Sequence, residues 1–540
     1  MDDTSRQGDD LIRRAPSGYL WNQAFSLWLF ASLFLYQLVI TRLLPVPDKG
    51  VFELVLTPAN FAVYLAALGL ESAGSIYLPR ALAEGGPARA TAIALRLVLV
   101  RVAAVLAVAG GILWVLPSLP GLLRQLALPD TSDLIATLNH PALISHRVPL
   151  AGYVVGVGLA NLFAALLTAL LRTRIVFIVG GLAQALSIGL AFVLVGPLHG
   201  GADGALAALV WPAALMSVIY ALALARVLNA PPARTQQRVL GGMLRLGIAA
   251  WLADLANGSL IKLIAVTQLA LAVSVSQIAY FGLAFEMGHA AAFLFVAGLG
   301  GVGLAAMAAA YASKQMAHLA TAWRTVAKLQ VVLAVPLVAF CVPHAEAIMG
   351  VLYPSDYAAA GPLLALFLVL NALVRLAGGG AHDAALYVLG HQRWVVVSRW
   401  GSLGVLALGD VLLIPRFGAA GALLAVGLAQ LAAELFLLAL ARRALARPYP
   451  VSFMFRVLAA LTLPLVVTVI WRPSTFLGLA LAGVVYALMF VICLRAIRPL
   501  DSEDEGLLRE VSAPLRAILQ PFVTRQRAPL EEEAVTTVAP

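Results

Sequence analysis

Apolar residues in this chain run in long blocks and do not alternate with polar ones. The stretch Val102 to Leu116 contains no charged residue at all. Blocks of this kind exceed the alternating segments of about ten residues that build a membrane β-barrel. They match the roughly 20 apolar residues that a spanning helix needs. By that ruler the chain divides into about fourteen helical segments. They lie near 19–44, 51–79, 91–116, 149–171, 175–195, 204–228, 244–267, 277–312, 322–342, 358–390, 394–414, 418–441, 455–471 and 475–494. The second, eighth and tenth are long enough to contain bends. The first run, Tyr19 to Leu44, is too long for the apolar region of a signal peptide, and it ends in Pro45 without a small-residue cleavage pattern. It is therefore expected to remain as the first helix.

Composition gives the same reading. The 540 residues are 62% hydrophobic and only 11% charged, whereas about a quarter of a globular chain is charged. Mean hydropathy is +0.95. The 45 glycines suit closely packed membrane helices. The expected class is an all-α integral membrane protein. The net charge of +10 does not point to nucleic acid, because the basic residues gather in short connections between apolar runs. With the N-terminus in the cytoplasm, Arg14, Arg80, Arg172, Arg226, Arg324, Arg393, Arg443 and Arg495 fall inside, while Lys49, Arg124, Arg147, Arg416 and Arg472 fall outside. The tally is roughly 21 inside against 6 outside. An even helix count and two cytoplasmic termini follow. Cys341 and Cys493 fall in different segments and form no disulfide framework or metal spacing.

The segments group into an ordered plan. Residues 1–17 form a cytoplasmic N-terminal segment, 18–228 a first lobe of six helices, and 229–243 a cytoplasmic linker. Residues 244–445 form a second six-helix lobe, 446–498 two additional helices, and 499–540 a cytoplasmic tail. A short repeat supports the duplication. Pro197-Leu-His-Gly200 with Gly204 precedes the sixth segment, and Pro415-Arg-Phe-Gly418 with Gly421 precedes the twelfth. In the tail, Leu508, Val511, Leu515, Ile518 and Phe522 have helical spacing, read either as an amphipathic helix on the membrane or as a disordered end broken by Pro514 and Pro521.

Charged residues inside spanning segments are costly, and by default they face a watery cavity or a partner. Arg375 lies near the middle of the tenth segment, just before Gly378-Gly-Gly380, His382 and Asp383. Three consecutive glycines should loosen or bend the helix there, and a break at mid-membrane often marks a binding site. Arg375 is read either as a cavity cation or as a partner of Asp383. Lys262 either faces a solute or bridges to Asp254, with Asn257 nearby. Arg101 is the deeper of two arginines on the third segment. Arg42 and Lys49 read as interfacial anchors at the outer end of the first helix. Glu286 and His289, three apart, share a helix face; they either exchange protons or form a structural pair. The substrate-binding candidates are Arg375, Lys262, Arg101, His382, Asn257 and Asn22. The ion-coupling candidates are Glu286, Asp254 and His289. No zinc spacing, phosphate-binding glycine loop or nucleophile triad occurs, so no catalytic residue, metal or cofactor is expected, and the chain is not expected to be an enzyme.

Several ordered motifs resemble a known family. They are Arg42-Leu-Leu-Pro45 through Asp48-Lys49-Gly50-Val-Phe-Glu53, then Leu68-Gly-Leu-Glu-Ser-Ala73, then Ile348-Met-Gly-Val-Leu-Tyr353-Pro with Asp356-Tyr357. Val388-Leu-Gly390-His-Gln-Arg393 and Ile414-Pro415 with Phe417-Gly418-Ala-Ala-Gly421 complete the set. Over about residues 18 to 445 the chain resembles the polysaccharide transporter (Wzx-type) branch of the multidrug/oligosaccharidyl-lipid/polysaccharide exporter superfamily. The resemblance implies two six-helix lobes facing each other across a central cavity that opens alternately to each side. It implies a flippase in the bacterial inner membrane that moves polyprenyl-diphosphate-linked oligosaccharides from the cytoplasmic to the outer leaflet. The implied cavity is wet and positively charged, with coupling to a proton or sodium gradient as an option. Membrane lipids, a polysaccharide polymerase and glycosyltransferases are the implied partners. The alternatives are a cation-coupled multidrug antiporter or peptidoglycan-precursor flippase of the same superfamily, and a membrane-embedded polymerase or glycosyltransferase.

Overall fold

A computed structural model describes residues 28–118 except 30, 141–232 except 171, and 316–499, together with 247–248, 251–252, 255–294, 296, 303, 307 and 310–311. Among these residues the chain is nearly all helical. The first lobe contains α1 (Ala31–Leu43), α2 (Val46–Ala67), α3 (Leu70–Gly110), α4 (Arg147–Ala169), α5 (Thr173–Val195) and α6 (Gly201–Val227). The second contains α7 (Ile261–Ala272, entered through a π-helical turn at Ala256–Leu260), α8 (Val275–Phe293), α9 (Met316–Leu352), α10 (Ala360–Leu376), α11 (Ala381–Val388), α12 (Gln392–Phe417) and α13 (Ala419–Leu445). Two further helices, α14 (Val451–Trp471) and α15 (Phe476–Ile497), pack on each other and on α9. Among the described residues eleven spans are long and apolar enough to cross a bilayer; α1 and the α7 region are shorter apolar helices, and α8 has 19 residues.

Local chemistry explains where the helices break. Pro45 precedes α2, and Val46-Pro47 opens it, where a missing backbone N–H costs nothing. Leu68 and Gly69 both have positive φ (50° and 65°). They end α2 inside what the hydropathy pattern joins as one segment, 51–79. Gly86 kinks α3 at φ 67°. The triple glycine separates α10 from α11, with φ values of 117°, 36° and 96° at Gly378, Gly379 and Gly380. These are left-handed values that side chains resist.

Both copies of the repeat form tight helix hairpins. A Cβ on Gly204 would lie 3.0 Å from the Leu194 carbonyl, and one on Gly421 would lie 2.4 Å from the Leu413 carbonyl. Each glycine lets α6 or α13 pack against the helix before it. The lobes meet mainly where α2 crosses α7 and α8, and one apolar core runs through both. It includes Ile40, Phe52 and Val55 from the first lobe and Ile278, Phe281 and Phe367 from the second.

One polar group in the second lobe has no local explanation. Asp410 on α12 is 1% exposed, and neither carboxylate oxygen has a hydrogen-bond partner among the described residues. An unpaired buried carboxylate is costly. Asp410→Asn is expected to raise the thermal unfolding midpoint in detergent, a gain on the order of 1 kcal/mol. An unchanged or lower midpoint by intrinsic fluorescence would show that the carboxylate has a stabilising partner.

Candidate functional site

Three cavities follow one another across the lobe interface. The first, about 450 Å³, lies within the first lobe against Asn60, Tyr64, Glu71, Ser72, Arg101 and Asn161, with Trp251 from the α7 side. The second, about 390 Å³, is lined by Tyr36, Gln37, Tyr153, Lys262 and Glu286. The third, about 480 Å³, lies in the second lobe against His289, Phe293, Arg375, Asp383, Arg399 and Glu434. Asn60 and Tyr64 line both the first and the second cavities. Gly258, Phe285 and Glu286 line both the second and the third. The three therefore adjoin one another in a row from lobe to lobe.

One end of the interface is closed. Arg42 on α1 donates to the Leu352 and Val351 carbonyls of the second lobe at 2.6 and 3.2 Å. The Tyr357 hydroxyl donates to the Leu44 carbonyl at 3.0 Å. A Cβ on Gly50 would fall 2.2 Å from the Val275 carbonyl oxygen. Arg42 thus ties the lobes together, a role beyond the interfacial anchor expected of it. At the other end Trp251 donates to the Tyr64 carbonyl at 2.7 Å, and the backbone of Gly247 lies against Gly69.

Beside the closed end runs a relay of four charges, three of them buried (Lys49, Glu53 and Lys262) and the fourth, Glu286, open to the cavities. Lys49 Nζ donates to Glu53 Oε1 and to Gln37 Oε1, both at 2.7 Å. Glu53 Oε2 accepts from Lys262 Nζ at 3.0 Å, and Lys262 also donates to Glu286 at 2.5 Å. The first two residues stand one turn apart on α2; Lys262 belongs to α7 and Glu286 to α8. Lys49 and Glu53 are both 0% exposed, which corrects the reading of Lys49 as an anchor among head groups. A helix that starts at Val46, earlier than the apolar run, turns Lys49 inward.

Arg101 is fully buried. Its Nε donates to the Gly158 carbonyl and its Nη2 to Glu71, each at 2.8 Å. A second ion-pair cluster occupies the second lobe, where Arg399 Nη2 reaches Asp383 at 2.5 Å and Glu434 at 2.9 Å. Asp383 is therefore held by Arg399, and Arg375 is not its partner. Arg375 is 4% exposed and lines the third cavity. Its guanidinium lies 4.0 Å from the Phe293 ring centroid, and Nη1 donates to the Gly379 carbonyl at 3.3 Å. Its Nε has no hydrogen-bond partner, and no carboxylate among the described residues lies within ion-pair distance.

His382 departs from the substrate-binding role expected of it. The glycine break turns α11 so that the imidazole points into the core beside Tyr449. There Trp323 Nε1 donates to its Nδ1 at 3.0 Å, and its Nε2 donates to the Ala377 carbonyl at 2.6 Å. Both nitrogens are used and none faces the cavity. His289 does line the third cavity, tilted against Phe285 with centroids 4.2 Å apart, and it bonds the Phe285 carbonyl, not Glu286. Asn22, Asp254 and the side chain of Asn257 lie outside the described residues. Among the described residues the cavities show no excess of positive charge. Four cations line the cavities, Arg101, Lys262, Arg375 and Arg399, and four carboxylates match them, Glu71, Glu286, Asp383 and Glu434.

Glu53, Arg399 and Glu434 were not among the sequence candidates. Glu434 sits in an otherwise uncharged stretch of α13, so the cost of an intramembrane carboxylate would have singled it out.

No protein-family description matches the chain, and no curated protein matches it in sequence. Solved structures do match in shape. A multidrug resistance MATE family transporter of the MOP superfamily, in an inward-facing conformation, superposes with a TM-score of 0.60 at 17% identity, covering 78% of this chain and 94% of that one. Lipid II flippase MurJ, in an inward closed conformation, gives 0.63 at 12% identity over 88% and 99% of the two chains. A MOP superfamily transporter from Pyrococcus furiosus, described as having a binding pocket of reverse polarity, gives 0.57 at 16% identity over 79% and 95%. The chain has the fold of these transporters, a multi-pass bundle of membrane helices.

Proposed function

We propose that this chain is a flippase that carries a polyprenyl-diphosphate-linked oligosaccharide across the bacterial inner membrane by alternating access. One observation carries the reading. Arg375 is a deeply placed cation beside a cavity, and it is the cavity-lining cation with no carboxylate within ion-pair distance among the described residues. A buried charge without a counter-ion is costly, and a diphosphate passing through hydrocarbon needs such a charge. The joined cavities offer room between the lobes for the polar head, while the bilayer receives the lipid tail. A polymerase and glycosyltransferases acting on the same lipid-linked sugar would be its partners. Glu286, open to two cavities, is the carboxylate best placed to couple movement to a proton or sodium gradient.

A cation-coupled multidrug antiporter is the second reading, favoured by the three carboxylates Glu286, Asp383 and Glu434 around the third cavity. All three are engaged by Lys262 or Arg399, which leaves none as a free partner for a cationic drug.

The test is transport in vesicles. Purified protein is reconstituted with a fluorescent polyprenyl-diphosphate oligosaccharide, and arrival in the opposite leaflet is followed by quenching. Arg375→Ala is expected to slow transport about tenfold or more, the loss of a charged hydrogen-bond partner of roughly 1.5–3 kcal/mol, with membrane insertion unchanged. Wild-type rates in that variant would reject the role of Arg375. Gradient-driven efflux of a cationic dye without lipid flipping would replace the first reading by the second.

A further inference from the structure

The first-lobe cavity differs chemically from the one beside Arg375. Its charges are internally compensated, because Arg101 is paired with Glu71. What it presents is a set of neutral polar groups with unused bonding capacity. Asn161 stands deep within α4, exposed to this cavity, and its amide makes no hydrogen bond among the described residues. Ser72 likewise makes none. Asn60 accepts from the Tyr153 hydroxyl at 2.9 Å through Oδ1, which leaves its amide N–H groups unspent. Arg101 Nη1 is buried and has no partner. An amide left unpaired at membrane depth is expensive unless water or a ligand meets it.

Two aromatic residues complete the wall. Tyr64 is 41% exposed. Trp251 donates its indole N–H to the Tyr64 carbonyl at 2.7 Å, so its ring surface is what remains for a ligand. Amides and hydroxyls that both donate and accept, set beside aromatic surface, match a sugar ring with its hydroxyl edge and C–H faces. A diphosphate would find no uncompensated charge here. A volume of about 450 Å³ is within the usual range for small-ligand sites.

We infer that the first-lobe cavity is a carbohydrate subsite, holding the sugar end of a substrate whose diphosphate lies against Arg375. The inference rests on the flippase reading and adds a division of labour to it, with the first lobe reading the sugar and the second binding the phosphate. The shared walls at Asn60 and Tyr64, and at Phe285 and Glu286, let one ligand extend from one cavity to the other.

The experiment compares three lipids binding to the full-length protein in nanodiscs: a bare polyprenyl diphosphate, the same lipid bearing an N-acetylhexosamine, and the same lipid bearing a hexose. Wild type is expected to bind at least one glycosylated lipid about tenfold more tightly than the bare one, roughly 1.4 kcal/mol. Asn161→Ala combined with Ser72→Ala should bring that ratio close to one and leave affinity for the bare lipid unchanged. Arg375→Ala should weaken all three lipids together. Equal binding of bare and glycosylated lipids by wild type overturns the subsite and leaves the diphosphate reading standing, as does an unchanged ratio in the double variant. Failure of wild type to bind any of the three overturns both.

Discussion

Glu53→Ala is expected to prevent accumulation of folded protein in the membrane. The carboxylate is 0% exposed and has two ammonium partners, Lys49 at 2.7 Å and Lys262 at 3.0 Å. Removing it leaves Lys49 fully buried with only the Gln37 amide oxygen to receive its protons. Truncating one member of a buried pair typically costs about 3–5 kcal/mol, a large share of the roughly 5–15 kcal/mol that holds a fold together. Lys262 suffers less, because it keeps Glu286. The double variant Glu53→Leu, Lys49→Met removes the stranded charge and should recover much of the loss. Thermal unfolding and the yield of monodisperse protein in detergent measure both. A Glu53→Ala protein as stable as wild type would mean that Lys49 finds another counter-ion, and the relay would not be structural.

The second large effect is expected at Gly50. The carbonyl of Val275 occupies the space a side chain would need, 2.2 Å from an added Cβ, and the Val275 side chain lies at 2.5 Å. Backbone cannot yield as a flexible side chain can, so Gly50→Val must push α2 and α8 apart. Overpacking of this kind costs about 1–3 kcal/mol. Here the strain falls on the contact that closes one end of the path, so it should favour the state in which that end is open. In a background lacking Cys341 and Cys493, spin labels placed at Leu43 and Asp356 report the separation by pulsed electron resonance. The distance distribution should lengthen in Gly50→Val, and transport should fall. An unchanged distribution would show that the Gly50 contact does not hold the ends together.

The membrane architecture was readable because hydrocarbon imposes long apolar runs and punishes every departure from them. The same rule drew attention to Arg101, Lys262 and Arg375, all of which lie inside the bundle. A bend at Gly378–Gly380 was readable because glycine loosens a helix, although the structure goes further and separates two helices there. The pairings were not readable. Lys262 meets Glu53 across 209 residues, and Arg399 meets Glu434 across 35. No periodicity in the chain relates positions that only tertiary packing brings together. Lys49 was misplaced for a local reason. The apolar count starts after it, whereas the helix starts before it at Val46. Lys49 and Glu53 at i and i+4 could have been recognised as a pair. Among the described residues the basic lining is matched by carboxylates that lie far away in the chain, such as Glu71 for Arg101 and Glu53 for Lys262, where the sequence offered only near neighbours as partners.

The relay at the lobe interface also bears on how the membrane voltage acts. Lys49, Glu53, Lys262 and Glu286 alternate in sign and sum to zero when all four are ionised. An electric field does work of about 2.3 kcal/mol per elementary charge for each 100 mV crossed, and it does almost none on a cluster that shifts as a neutral unit. Separation of the lobes along this seam leaves one cation and one carboxylate of the relay on each side, so the relay itself contributes almost nothing to voltage dependence, which must enter through other charges such as Arg375, the cargo or a coupled ion.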